Sequence, residues 1–272
     1  MRQVTCVAMY GRKPSKLAAI IENCQDRIDA LTDKHPAVGF QRYEVEQVHA
    51  TIIGLERSGV GSFQNLNFRK RREVHQDMDF AGLLEYFRRG AVLPFAVQIG
   101  GYQERDYPFV SRNQHPYDRS FSVQGDKAVV MGWPVWGDPT APLPSGPSGL
   151  VVESRRYPAS LDAIRRHCQH FGILHGYHRQ FTDVDNDFYL RIGLFDPPDV
   201  PQSFAQQLEG TLRQFLKSIG PQVVQVTLSD LFAVAYVDDT LPRSTSTWWS
   251  FDCTEIDDAF IRSLYLQSEP DP

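Results

Sequence analysis

Val48-His49-Ala50-Thr51-Ile52-Ile53 is the stretch of this sequence best suited to acid–base chemistry. On an extended strand successive side chains point to opposite faces, so His49 and Thr51 share one face while Val48, Ala50 and Ile52 share the other. An imidazole exchanges a proton near neutral pH. A hydroxyl two residues further on can hydrogen-bond a phosphate oxygen. Side by side, the two can act on a phosphodiester. The plainer alternative is a polar strand face that happens to carry a histidine.

Other groups of interest lie elsewhere. His167, His170, His175 and His178 fall within twelve residues. His167 and His170 are one helical turn apart, a spacing that allows a shared metal. Gly172 and Gly176 interrupt the run and no carboxylate pattern completes a known site, so no metal or other cofactor is expected. His175 and His178 stand as candidates for proton transfer or phosphate contact. The run Arg69-Lys70-Arg71-Arg72, near Phe63, Phe68 and His75, offers Arg69, Arg71 and Arg72 to nucleotide phosphates or single-stranded nucleic acid. A solvated loop is the alternative there. The sequence has no Gly-x-Ser-x-Gly, phosphate-loop, zincin or dinucleotide fingerprint.

The elements that must position these residues are visible in the periodicity. Residues 3–10 (QVTCVAMY) alternate and are rich in β-formers, which predicts a strand. After Lys13-Pro14-Ser15, Leu17, Ile20, Ile21, Cys24, Ile28 and Leu31 recur at helical spacing until His35-Pro36. Residues 39–56 read as one or two strands with a turn near Glu46-Gln47, and residues 57–75 as an exposed polar loop. A helix over 77–89 starts with Asp and ends with arginines, as the helix dipole favours. Residues 93–102 (LPFAVQIGGY) form a strand.

Residues 103–150, with seven prolines, read as a Pro/Gly-rich insert holding two short strand-like pieces, FSVQ and AVVMGWPVW. Trp133, Trp136, Tyr102 and Tyr107 either pack this insert onto the body or cover a groove, and Trp248-Trp249 reads as core or interface. A helix over 158–171 capped by Gly172 follows, then a strand over 188–195 and an amphipathic helix over 204–219. Strands over 223–228 and 231–239 and a short helix over 256–266 complete the order. The fold class is α+β, with two lobes that look alike: one bilobal domain over 1–266 and a flexible tail over 267–272.

The order strand, helix, His-x-Thr strand, helix and Pro-Phe strand, with its VHATII motif, resembles the two-histidine phosphoesterase superfamily. That group includes bacterial RNA ligase-like proteins and cyclic nucleotide phosphodiesterases. The resemblance covers most of the chain outside residues 103–150 and the tail. It implies two pseudo-symmetric lobes of antiparallel sheet around a central groove. It also implies a general-base and a general-acid histidine acting on cyclic or 2′-5′ phosphodiesters without metal. His49 and Thr51 match the first motif. The second should lie on DFYLRIGLF, where Phe188, Leu190, Ile192 and Leu194 face the core and Tyr189 and Arg191 take the groove positions. Gly193 follows, as in many members. One catalytic histidine is therefore replaced. A tyrosine with a pKa of about 10 is a poor base, though it can donate a proton. An arginine is a strong phosphate ligand.

Composition sets the remaining bounds. The 272 residues are 42% hydrophobic and 22% charged, with a net charge of −5, an ordinary globular balance. The longest apolar runs fall far short of the roughly 20 residues a membrane span needs. The N-terminus lacks the apolar run and cleavage pattern of a signal peptide, and the four cysteines form no CxxC pair. A cytoplasmic chain with no membrane partner is expected. Residues 1–195 hold 24 basic and 21 acidic residues, a net of +3, while residues 196–272 hold 4 and 12, a net of −8. The region with every candidate residue is thus mildly positive and rich in arginine, which suits a nucleotide or RNA-end phosphate. Two alternatives stand beside a phosphodiesterase: a degenerate relative that binds a nucleotide, RNA or protein partner, and an interaction or scaffold protein without a small-molecule site.

Overall fold

The computed structural model describes residues 1–72, 74–89 and 92–266, so the expected tail over 267–272 lies outside the described residues. Its strands are β1 (Gln3–Ala8), β2 (Gly39–Arg42), β3 (Ala50–Gly54), β4 (Phe95–Ile99), β5 (Phe121–Gln124), β6 (Lys127–Val135), β7 (Phe188–Asp196), β8 (Gln222–Val226), β9 (Leu231–Tyr236) and β10 (Thr247–Ser250). They form one antiparallel sheet in the order β10-β9-β1-β3-β7-β6-β4-β8, with β2 also on β7 and β5 on β6. The helices are α1 (Ser15–Thr32), α2 (Leu66–Arg72), α3 (Phe80–Arg88), α4 (Pro116–Arg119), α5 (Pro147–Arg156), α6 (Ser160–His167), α7 (Gln202–Ser218) and α8 (Asp258–Leu264). The architecture is α+β.

The two halves of the sheet interlock. β3 and β7 meet at its centre through the pair Ala50–Leu190. After β3 the chain crosses into the second half to form β4 beside β6. After β7 and β8 it returns to the first half to form β9 beside β1.

Strand alternation explains where the core sits. Val4, Cys6 and Ala8 of β1, Ala50 and Ile52 of β3, and Phe188, Leu190 and Ile192 of β7 enter one large core. There they meet Leu17, Ile21 and Ile28 of α1 and Phe204, Leu208, Leu212 and Leu216 of α7. The opposite face carries two smaller clusters. Val7, Tyr10, Val234 and Tyr236 form one, with Trp248 against it. Val129, Met131, Trp133, Tyr102 and Tyr107 form the other. The polar residues of β3 and β7 lie between these two apolar ridges.

Several expectations need correction. Residues 57–75 are not all loop, because α2 forms within them. Asn65 is fully buried and its Oδ1 accepts from Phe68 N, a cap that starts the helix. Nor is residues 103–150 a mere insert, since β6 lies inside the sheet between β7 and β4. Pro134 argues against an interior strand. It is tolerated because β7 pairs with β6 only as far as Gly132, so that among the described residues Pro134 pairs with β4 alone. Trp248 and Trp249 lie on the edge strand β10 and are half-buried.

In β7 the alternation holds only to Ile192. A bulge opposite Ala128/Val129 shifts the register, so Leu194 is half-buried and Phe195 is buried instead. At Gly193 a Cβ would lie 2.4 Å from the Phe40 ring and 2.6 Å from Gln41 O, so this crossing of β2 over β7 requires glycine.

Candidate functional site

The Ala50–Leu190 pair sets the geometry of the open face. Continuing its register by one residue each way puts Thr51 across from Tyr189 and His49 across from Arg191. Facing residues of antiparallel strands have Cα atoms about 4.5–5.5 Å apart. All four side chains are half-buried, while Ala50, Leu190 and Ile52 between them are fully buried. The four residues expected to face a groove therefore share one surface.

His49 stands just before β3. Its Nδ1 lies 2.8 Å from Gln47 O; a carbonyl only accepts, so Nδ1 carries the proton and Nε2 keeps its lone pair. The Tyr10 ring packs edge-on at 5.8 Å. Burial, opposed by the Gln47 bond and reinforced by the charges of Arg191 and Lys13, pushes the imidazole down to about 4. His49 is thus neutral at physiological pH and is in its base form. Lys13 donates to Gly11 O at 2.8 Å and Glu46 O at 3.2 Å. Burial, with Arg243 nearby, lowers its amine to about 7. Arg191 donates to Tyr43 Oη at 3.3 Å, and its carboxylate contact is the exposed Asp239 at 3.8 Å. Burial pushes the Tyr189 phenol above its ordinary value, which keeps it protonated.

Beside this quartet lies a cavity of about 390 Å³ lined by Thr51, Tyr189 and Arg191, by Arg112 and Lys127, and by His175 and Tyr177. Its floor is a buried ionic network. Arg165, from α6, donates to Thr51 O at 2.8 Å, Ile52 O at 3.1 Å, Asp185 O at 3.0 Å and Oδ1 at 3.2 Å, and Asp187 O at 3.0 Å. One guanidinium thereby ties β3 to the residues leading into β7. Asp185 also accepts from Arg112 at 2.9 Å, and Asp187 from Arg119 and from Trp133 Nε1 at 2.9 Å. Burial alone would raise the Asp185 carboxyl; Arg165, His175 and Arg112 overcome that and hold it well below the usual carboxylate range. Between them, Asn186 Oδ1 accepts from the amides of Leu161 and Asp162 and caps α6 from afar. Asp185-Asn186-Asp187 thus locks α6, β3 and β7 together.

His175 is brought to the cavity wall, with Nε2 3.0 Å from Asp185 Oδ2. His178 is not available for phosphate contact. It is fully buried behind His175, its Nε2 2.9 Å from Asp162 Oδ1. Packing of the loop after Gly172 against α6 turns it inward. Arg69 and Arg71 are exposed on α2 and do not line the cavity; Arg72 donates to Gln169 Oε1 and His178 O and lies 5.0 Å from the Phe181 ring centre. His167 stacks on Tyr86 at 4.2 Å, away from the groove. Tyr102, Tyr107 and Trp133 are core, whereas Trp136 is exposed.

Sequence reasoning missed Lys13, Arg112, Asp185 and Asp187, and saw in Arg165-Arg166 only a basic pair on a helix, of which at most one can reach a given face. A usable signal was present in Asp183-Val184-Asp185-Asn186-Asp187, a dense polar run directly before a strongly apolar strand. Among the described residues no helix is long and apolar enough to cross a membrane. Comparison with protein-family models, curated proteins and solved structures finds no significant match for this chain.

Proposed function

We propose that the groove binds a phosphodiester of a nucleotide or RNA end, cyclic or 2′-5′ linked, and hydrolyses it, as in a relative of the two-histidine phosphoesterases. The observation that carries this reading is that Thr51, Tyr189 and Arg191 line the cavity from two adjacent strands, with His49 just before the first of them and beside the cavity rather than in its lining, and that among the described residues the carboxylate contact of Arg191 is the exposed Asp239. Arg191 and the Thr51 hydroxyl hold the non-bridging oxygens. Water attacks phosphorus, His49 Nε2 takes its proton, and the bond from phosphorus to the leaving ribose oxygen breaks.

Hydrolysis of uridine 2′,3′-cyclic phosphate and of 2′-5′ dinucleotides by wild type and His49→Ala tests the reading. Turnover that falls by about 10²–10⁴ in the variant supports it. Turnover unchanged in the variant removes His49 from the reaction. A second reading, a groove that binds the phosphate without cleaving it, is favoured by the presence of Tyr189 and Arg191 in place of a second strand histidine. Binding without turnover would select it. Under either reading Arg191→Met weakens binding by about 10- to 100-fold, the loss of one charge-assisted contact of about 1.5–3 kcal/mol.

A further inference from the structure

The reaction needs a group that gives a proton to the leaving oxygen, and the second groove strand supplies only a phenol and a guanidinium. His175 reaches the same cavity from the loop before β7. Its Nε2 lies 3.0 Å from Asp185 Oδ2. Asp185 is a carboxylate held by Arg165 and Arg112, so Nε2–H is the donor and Nδ1 is the nitrogen left for a ligand. A buried carboxylate behind an imidazole fixes its orientation and stabilises the imidazolium. His49 has the opposite setting, a backbone carbonyl at Nδ1 and the cations Lys13 and Arg191 nearby. Of the two histidines, His175 is the one whose ring donates to a carboxylate, Asp185, rather than to a backbone carbonyl.

We propose that the Asp185–His175 pair is the proton carrier of the groove: His175 takes a proton from solvent when a phosphate group enters, and its Nδ1–H then points at the ligand. This rests on the phosphate reading above. The charged and titratable groups around His175 are Asp185 in its own loop, Arg165 from α6, Arg112 from the segment after β4, and its neighbours Tyr177 and His178, with Lys127 of β6, Asp187, and Tyr189 and Arg191 of β7 lining the same cavity. In the free protein burial and then Arg165 outweigh Asp185 and lower the imidazole to about 4. An entering anion adds negative charge beside it and reverses the balance. In hydrolysis the bound imidazolium passes its Nδ1 proton to the leaving oxygen as the bond to phosphorus breaks, while His49 holds the proton taken from water.

The probe is uridine 2′,3′-cyclic phosphorothioate, a slowly hydrolysed diester whose single charge stays constant from about pH 5 to pH 8. Calorimetry in buffers of different ionisation enthalpy counts protons taken up on binding. Ring ¹⁵N NMR reads the state of His175 directly. The proposal expects affinity to rise toward tenfold per pH unit as pH falls from about 7 to about 5, with uptake of one proton per site. It also expects the His175 ring to be neutral in the free protein at pH 6 and protonated in the complex. His175→Gln, whose amide can still donate to Asp185, should bind with no proton uptake. A His175 ring that stays neutral in the wild-type complex overturns the proposal, as does uptake that persists in His175→Gln, which would place the proton on His49. Binding to wild type with no proton uptake overturns it while leaving the phosphate reading intact. No binding at any pH overturns both.

Discussion

Arg165→Met removes a buried side chain that ties β3 to the residues leading into β7 at the groove. The guanidinium is 2% exposed and donates five hydrogen bonds, to Thr51, Ile52, Asp185 and Asp187. Methionine fills much of the volume and restores none of the donors. The four carbonyls and the Asp185 carboxylate lose a partner in a place water does not readily reach. Breaking a buried ion pair by deleting one member costs about 3–5 kcal/mol, because the remaining charge stays buried. Direct pairing of β3 with β7 is confined to Ala50–Leu190, and the β2–β7 ladder lies beyond it, over Gly193–Asp196, so Arg165 carries much of the β3–β7 contact. At about 2–4 °C per kcal/mol for a chain of this size, Tm falls by about 6–20 °C. Urea denaturation followed by circular dichroism gives the free energy. Arg165→Lys, which keeps the charge and fewer donors, should recover part of it. Combining Arg165→Met with Asp185→Asn should cost less than the two single changes summed, because the double variant buries no unpaired charge. A loss below about 1 kcal/mol in Arg165→Met would refute the clamp.

The titration of the groove makes further predictions. His49 and His175 both sit at about 4 in the folded protein against about 6.5 unfolded, so unfolding takes up about two protons between those values. Stability therefore drops as pH falls from about 6.5 to about 4, with a slope near 2.7 kcal/mol per pH unit at its steepest. His49→Gln and His175→Gln should each remove about half of that slope in urea titrations, and a flat profile in wild type would contradict both assignments. Asp162, held to about 2 against burial by His178 and Arg166, adds a second loss below about pH 4. Lys13→Met should stabilise the protein most at and below about pH 7, where the folded state must bury the ammonium. The gain should shrink as pH rises toward about 10, where the lysine is neutral in both states. Gly193→Ala should destabilise by about 1–3 kcal/mol, since its Cβ overlaps the Phe40 ring and Gln41 O; the pairing of β2 with β7, read by hydrogen exchange, is where the damage should appear.

Much of the groove's frame was legible in local patterns. Alternation in 3–10, 48–53 and 188–192 states which residues turn away from the core, because side chains on a strand alternate whatever the strand pairs with. That is why His49, Thr51, Tyr189 and Arg191 could be assigned to one kind of face. Helical spacing and end signals likewise marked α1, α3 and α7, with Asp79 capping α3 through Gly82 N at 2.8 Å. Which strands lie side by side is a different matter, decided by contacts between residues far apart in the chain. The strand-like AVVMGWPVW was legible, but not that it lies inside the sheet, where Pro134 is tolerated because β7 ends its pairing at Gly132.

Arg165 and Arg166 look equivalent in the sequence. Only the helix docking makes one a five-bond clamp and leaves the other half-exposed against Asp162. Asn186 caps a helix that starts 26 positions earlier, at Ser160, and no local window contains both ends of that bond. The face on which chemistry can occur is thus a property of the strand itself. The groups that charge, orient and close that face come from burial, which exists only once the distant segments have met.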